Sequence, residues 1–209
     1  MTHRGPLQPV LIAGLVLLGL RSATMGVPIW GSDTGGYWGG TTTHELFARW
    51  LGLSAFSPVM EIGPLNDGAP WDMPDGTGYN AEAIAILRTY ALLHDHLTDY
   101  TARYAKEARE TGHPIMRPLS TEYPNDEHAW TVWDEYLYGK DYLVAPNIEK
   151  GARSHEVYLV ETPLYKTPIF LRAGSDHEVL DLQMIYEESL EIARDPPPLP
   201  DGNQLDANF

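Results

Sequence analysis

The residues best suited to chemistry are Asp33 and Glu61, two carboxylates that each follow a short apolar segment. Within residues 26–37, an apolar run ends at Asp33, which stands in a glycine-rich turn between Trp30 and Tyr37. Aromatic rings stack on the C–H faces of sugars, and a carboxylate accepts hydrogen bonds from paired hydroxyl groups. The pattern therefore indicates a sugar-binding pocket at the ends of two strands.

Other interpretations of these residues remain open. Asp33 has the residue type that turns favour, because its short side chain hydrogen-bonds to nearby backbone. Asp33 and Glu61 are also candidates for an acid/base pair, although the sequence fixes no distance between them. His94 and His96 are two residues apart on a predicted helix and point in different directions, so we predict no metal site there.

Composition excludes several classes of function. The chain has 209 residues, a net charge of −15 and no cysteine. The negative charge argues against nucleic acid or an anionic membrane surface as a partner. The lack of cysteine excludes disulfides and any cysteine nucleophile.

The first part of the chain predicts a parallel α/β unit. We expect a buried helix over residues 9–24, a strand over 27–30, a threonine-capped helix to residue 50, and a strand over 53–60. Strand, helix and strand at this spacing favour parallel pairing.

The apolar run 10–20 also resembles the core of a signal peptide. At 11 residues it is too short to span a bilayer, and no small-x-small cleavage pattern precedes Gly26. The buried helix is the favoured interpretation.

The pattern changes after a loop and a long helix. Residues 63–78 form a proline- and glycine-rich loop that contains Trp71, and Asn80 caps a helix to about residue 110. Beyond Gly112, we predict a helical turn near 126–136 and a small antiparallel sheet. Its expected strands are 115–119, 142–146, 156–160 and 169–172.

We therefore divide the chain at about residue 112. Residues 1–111 form an α/β region, residues 112–194 form a β domain, and the polar, proline-rich residues 195–209 form a disordered tail.

Short blocks with recognisable sequences follow one another in a fixed order along the chain. They are residues 30–37, 49–50, 55–58, 112–119, 123–124, 126, 139–146 and 168–175. Together, this series resembles the C-terminal half of the catalytic region of glycoside hydrolase family 31, which includes α-glucosidases and α-xylosidases. The resemblance covers residues 9–190.

The resemblance implies the last two strands and helices of a (β/α)₈ barrel, followed by a small antiparallel β-sandwich-like domain. Barrel enzymes carry their chemistry at the C-terminal ends of the strands. Asp33 would orient the substrate rather than act as the nucleophile, and Trp30 and Phe56 would line the same pocket. Glu61 stands where the family often has an arginine, so Glu61 and Trp71 are candidate replacement contacts.

The same resemblance implies hydrolysis of α-linked glucosides or xylosides without metal or organic cofactor. The family uses two aspartates on earlier strands, and counting back for the acid/base leads to Arg4, where no such motif stands. We therefore predict no turnover by this chain alone, most simply because of a truncated gene model. A non-catalytic carbohydrate-binding protein, or a subunit that completes a split enzyme with a partner chain, is the competing interpretation.

Overall fold

The structure is a computed structural model that describes residues 8–37, 42–62, 80–152, 156–158, 169–171 and 181–195. Its helices are α1 Gln8–Thr24, α2 His44–Ala55, α3 Ala81–His96, α4 Thr98–Thr111, α5 Leu119–Glu122 and α6 Leu182–Arg194, with a 3₁₀ turn at His128–Trp130. Its strands are β1 Gly31–Thr34, β2 Val59–Ile62, β3 Met116–Arg117, β4 Tyr136–Tyr138, β5 Tyr142–Val144 and β6 Ile169–Leu171.

Helix α1 is the buried helix that its apolar sequence predicts. Ile12 and Val16 are fully buried in the main core, and Leu18 on another side of the helix is 55% exposed. In the described parts of the chain, no helix combines the length and apolarity needed to cross a membrane.

The parallel pairing of the first two strands is confirmed, but both strands lie further along the chain than predicted. Strand β1 pairs in parallel with β2, from Gly31 opposite Val59 to Thr34 opposite Ile62. The expected strands over 27–30 and 53–60 were wrong in position.

The shift of β2 has a clear cause in helix α2. The sequence allowed Thr42 or Thr43 as the cap of this helix, and Thr43 is the one, since it accepts a hydrogen bond from the Leu46 backbone N–H at 3.2 Å. The helix then continues to Ala55, because Leu53 and Ser54 are fully buried on it. A short apolar run is compatible with either a buried strand or a buried helix, so periodicity could not locate this boundary.

The predicted long helix over 80–110 is two helices. Asn80 caps α3 by accepting a hydrogen bond from the Ala83 N–H at 3.1 Å, as expected. The helical path breaks at the buried Leu97, whose φ is −81° and ψ is 0°. Helix α4 ends at Gly112, which takes a left-handed conformation with φ of 80°.

The second half contains the predicted small antiparallel sheet, in the order β3-β4-β5-β6. Strand β4 was missed, because the sequence suggested a helical turn across 126–136. A strand was expected over 156–160, but residues 156–158 are not in a strand. Helix α6, which the sequence analysis also missed, contacts α3 through a 2.9 Å hydrogen bond from the Arg88 guanidinium to the buried Ser189 hydroxyl.

Two predicted segments are not among the described residues, apart from Asp195 at the start of the tail. The loop 63–78 lies outside the described residues, and so does the tail from residue 196 onward.

One core joins the helices to the antiparallel sheet. Ile12 of α1, Phe56 at the end of α2, and Tyr136 and Tyr138 of β4 belong to the same buried cluster. The Phe56 ring meets the Tyr138 ring edge-on, with ring centroids 5.9 Å apart. The α2–β2 connection is therefore packed directly against the sheet.

Candidate functional site

The parallel pair places Asp33 directly opposite Glu61 in register. Neighbouring strands lie about 4.8 Å apart, and partners in register point to the same face. Both carboxylate residues are exposed. The structure thus brings together the two carboxylates that the sequence analysis singled out.

Hydrogen bonds on the opposite face of β1 show which way Asp33 points. The Trp50 indole N–H donates to the Ser32 hydroxyl at 2.8 Å, and the hydroxyls of Thr34 and Ser54 are 2.6 Å apart. Trp50 and Ser54 belong to α2. Because side chains alternate along a strand, Asp33 points away from this helix.

Strand β2 shows the same alternation. Met60 packs against Phe47 and Leu51 of α2, so Glu61 lies on the face that is turned away from the helix. Val59, on the same face as Glu61, is 41% exposed. The carboxylate face is therefore uncovered in the described part of the chain.

The turn after β1 holds Asp33 in place through its backbone. The Gly36 N–H donates to the Asp33 carbonyl at 2.8 Å, and Gly35 and Gly36 have φ values of 89° and 94°. The Thr42 hydroxyl donates to the Gly35 carbonyl. Positive φ at two successive positions explains why glycines follow this aspartate.

Of the aromatic residues predicted to contact a sugar, Trp30 and Phe56 pack against other parts of the protein. The half-buried Trp30 ring lies so close to α1 that a Cβ at Gly19 would be 3.0 Å from it. Phe56 is 1% exposed within the main core. Trp71 lies outside the described residues. Contact of these three rings with a sugar stays a prediction.

The sequence matches two models of one enzyme family. Residues 15–103 match the glycosyl hydrolases family 31 TIM-barrel domain, and residues 112–167 match the glycosyl hydrolase family 31 C-terminal domain. The chain belongs to glycosyl hydrolase family 31.

Relatives within family 31 have several names. The chain is 33% identical to 1,3-alpha-isomaltosidase of Kribbella flavida in an alignment 152 residues long, which covers 69% of this chain and 21% of the relative. It is 32% identical to sulfoquinovosidase of Escherichia coli in an alignment 196 residues long, which covers 81% of this chain and 28% of the relative. The chain thus spans between a fifth and three tenths of these relatives.

Solved family 31 structures share the fold over most of this chain. The Flavobacterium johnsoniae dextranase complexed with glucose superposes with a TM-score of 0.69 at 33% identity, covering 78% of this chain and 23% of that one. A sulfoquinovosidase from E. rectale in complex with an aza-sugar inhibitor gives a TM-score of 0.64 at 28% identity, covering 86% and 29%.

The residues that hold the site's second strand were not singled out from the sequence as site residues. The Tyr136 hydroxyl donates to the Phe56 carbonyl at 3.0 Å, and a His94 ring nitrogen lies 3.1 Å from the Ala55 carbonyl. Burial raises the pKa of Tyr136 well above its usual value, so the phenol stays a neutral donor. These contacts fix the turn that leads to Glu61. Nothing in the local sequence of Tyr136 indicates this role, because the partner is 80 residues away.

The two histidines of α3 have different surroundings. His94 contacts the backbone of α2, as described, and His96 is exposed. Within the described segments, no three histidine, cysteine, aspartate or glutamate side chains converge in a way that could hold a metal ion.

Proposed function

We propose that the chain forms the sugar-orienting strand ends of a family 31 α-glycosidase, with Asp33 and Glu61 binding hydroxyl groups of the substrate. The observation that carries this proposal is the register of β1 and β2, which sets the two carboxylates side by side on one uncovered face. Adjacent carboxylates accept hydrogen bonds from neighbouring sugar hydroxyls. Relatives named for isomaltosides, dextran and xylosides support an α-linked sugar as the ligand.

We propose further that these carboxylates bind sugar and do not cleave the glycosidic bond. A retaining glycosidase needs two carboxylates that flank the bond from different sides of the sugar. Asp33 and Glu61 point the same way from adjacent strands, so both approach a ligand from one side. The resemblance assigns the nucleophile and the acid/base to other aspartates, and the isolated chain should not turn over substrate.

One observation favours a second candidate function, in which Asp33 and Glu61 are themselves the catalytic pair. The spacing of about 4.8 Å between neighbouring strands is near the roughly 5 Å carboxyl separation of retaining enzymes. The shared direction of the two side chains argues against it. Hydrolysis assays decide between the two functions.

The barrel assignment is part of the same proposal. The division at about residue 112 is supported by the two family models, which match on either side of it. Within the described residues, β1 and β2 pair only with each other. We propose that further barrel strands, from a longer form of this polypeptide or from a partner chain, complete the sheet.

The test combines binding and turnover by the purified chain. We expect methyl α-D-glucopyranoside to bind and p-nitrophenyl α-D-glucopyranoside not to be hydrolysed. Asp33→Asn should weaken binding by about tenfold or more, because a hydrogen bond to a charged group contributes about 1.5–3 kcal/mol. Asp95→Asn, which changes an exposed aspartate of α3, is the matched control and should bind as wild type.

Two results would contradict this proposal. Equal binding by the Asp33→Asn and Asp95→Asn variants would remove Asp33 from the site. Hydrolysis that is lost in both Asp33→Asn and Glu61→Gln would show that the pair is catalytic.

A further inference from the structure

A cavity lies in the second half of the chain, and segments other than β1 and β2 form it. It has a volume of about 570 Å³ and lies between residues 128–135 and the segments 147–152 and 156–158. Small-molecule sites commonly enclose about 300–1,000 Å³. The cavity is thus large enough for a ligand, and the site at Asp33 and Glu61 does not use it.

The cavity wall offers hydrogen-bond acceptors without a cationic side chain. Four of its side chains are carboxylates, and the described residues that line it include no lysine or arginine. Ionised carboxylates only accept hydrogen bonds. These carboxylates, which stand beside the polar side chains of His128 and Asn147, favour a ligand that donates hydrogen bonds and carries no negative charge. The four acids are Asp134, Glu135, Glu149 and Glu156.

An exposed aromatic ring adds an apolar surface to the same cavity. Trp133 lines it and is 44% exposed, so part of its ring surface is accessible to a ligand in the cavity. A large aromatic face beside hydrogen-bonding groups suits a ligand with one apolar C–H face and a rim of hydroxyls. A sugar ring has this combination.

Hydrogen bonds between protein groups hold the walls of the cavity. The Tyr158 backbone N–H donates to a Glu135 carboxylate oxygen, and the Tyr158 hydroxyl donates to Asp126 at 2.8 Å. The Asn147 amide donates to the Ala152 carbonyl at 2.9 Å. A preformed wall lowers the ordering cost of binding.

Two hydrogen bonds join one wall of this cavity to helix α2. The Arg49 guanidinium donates to the Ile148 carbonyl at 3.2 Å, and the Gly151 N–H donates to the Glu45 carboxylate. Both residues lie in the first half of α2. The wall that carries residues 147–152 is thereby fixed to the helix that also packs against β1.

We propose that this cavity is a second saccharide-binding site, which takes a non-anionic sugar unit against Trp133 with its hydroxyls directed to the surrounding carboxylates. The site is distinct from the carboxylate pair of β1 and β2 and does not depend on the function proposed for that pair.

The experiment measures binding of isomaltotriose to the purified chain by calorimetry, with Trp133→Ala as the principal variant. We expect Trp133→Ala to weaken this binding by about tenfold or more, equivalent to about 1.4 kcal/mol. Trp130→Ala is the matched control, because Trp130 is 65% exposed only three positions away and does not line the cavity. It should bind as wild type.

Further variants keep the result interpretable. Glu149→Gln preserves the shape of an exposed wall residue and should also weaken binding, so a folding defect in Trp133→Ala would not hide the effect. Trp133→Ala is also measured in the Asp33→Asn background, where binding at the strand ends is already weakened, and it should lower isomaltotriose binding there by the same factor. Glucuronic acid should not bind here, because its charge is repelled by the carboxylates.

The outcomes separate the two sites. Isomaltotriose binding that weakens in Trp133→Ala and Glu149→Gln by the same factor with Asp33 present or replaced, and that is unchanged in Trp130→Ala, supports the second site. No isomaltotriose binding, or binding lost only in Asp33→Asn, overturns it, and the latter would still support the strand-end site. Binding of glucosamine without isomaltotriose would also overturn it, since the cavity would then be an amine site.

Discussion

At the scale of single residues, the candidate site combines residues that a local sequence pattern reveals with residues that no local pattern reveals. Asp33 was identified because a carboxylate flanked by aromatic rings and glycines has a recognisable local pattern, and the structure sets it opposite Glu61. Tyr136 was not identified as a site residue, because its role depends on a contact with the Phe56 carbonyl across 80 positions. Local chemistry can be predicted from sequence, and long-range hydrogen bonds cannot.

Buried tyrosines make a further residue-scale prediction about alkaline stability. The Tyr138 hydroxyl lies 2.6 Å from the Thr101 hydroxyl, and burial raises the pKa of Tyr138 to about 12. An unfolded tyrosine titrates near pH 10, so between about pH 10 and 12 the unfolded chain binds fewer protons than the folded chain. The free energy of unfolding should therefore fall across this window.

The expected contribution of Tyr138 is about 2–3 kcal/mol, which is fully present below pH 10 and lost as the pH rises to 12. Tyr138→Phe should flatten this part of the pH dependence, as measured by urea unfolding at a series of pH values. Tyr37→Phe changes a 60% exposed tyrosine and is the control. An unchanged slope in Tyr138→Phe would refute the assignment.

At the scale of elements, helix caps and strand pairing were predictable and element ends were not. Thr43 and Asn80 cap helices as expected, since a cap needs only residues within one turn. The break at Leu97 depends instead on tertiary packing, because Leu97 is 1% exposed in the main core. Strand β4 was missed because three buried residues carry no alternating pattern.

The turn between β4 and β5 gives a prediction at this scale. Gly139 has φ of 62°, and a Cβ added there would lie 2.2 Å from the Tyr100 hydroxyl oxygen. Gly112 has φ of 80° with nothing within 4 Å of an added Cβ. Gly112→Ala should cost about 1–2 kcal/mol from the left-handed conformation alone.

Gly139→Ala should cost about 1–3 kcal/mol more than Gly112→Ala, because the buried Tyr100 and Tyr104 rings must also move. Urea unfolding of the two variants and the wild type measures the difference. Equal free energies of unfolding for the two variants would show that the rings yield without cost.

At the scale of the whole molecule, the strand face that carries Asp33 and Glu61 is uncovered within the described residues. Val27 and Ile29 before β1 and Val59 in β2 are 50%, 46% and 41% exposed. We call these three residues the strand-side patch. Parallel sheets are normally buried on both faces. An exposed parallel pair with apolar residues should therefore bind another protein surface. The main core, by contrast, joins α1 to β4 and is well buried.

The strand-side patch predicts that the purified chain associates with itself at concentrations where an ordinary domain stays monomeric. Threonine substitutions at its three positions should raise the monomer fraction measured by sedimentation velocity and reduce the binding of a hydrophobic dye. The control carries threonine at Leu18, Met184 and Ile192, which are 55%, 60% and 37% exposed on helices α1 and α6. Isolated apolar residues on helix surfaces are common and need no partner. If the control variant is as monomeric as the patch variant, overall apolarity drives the association and the uncovered strands do not. If the wild-type chain is already monomeric, the strand-side patch needs no covering partner.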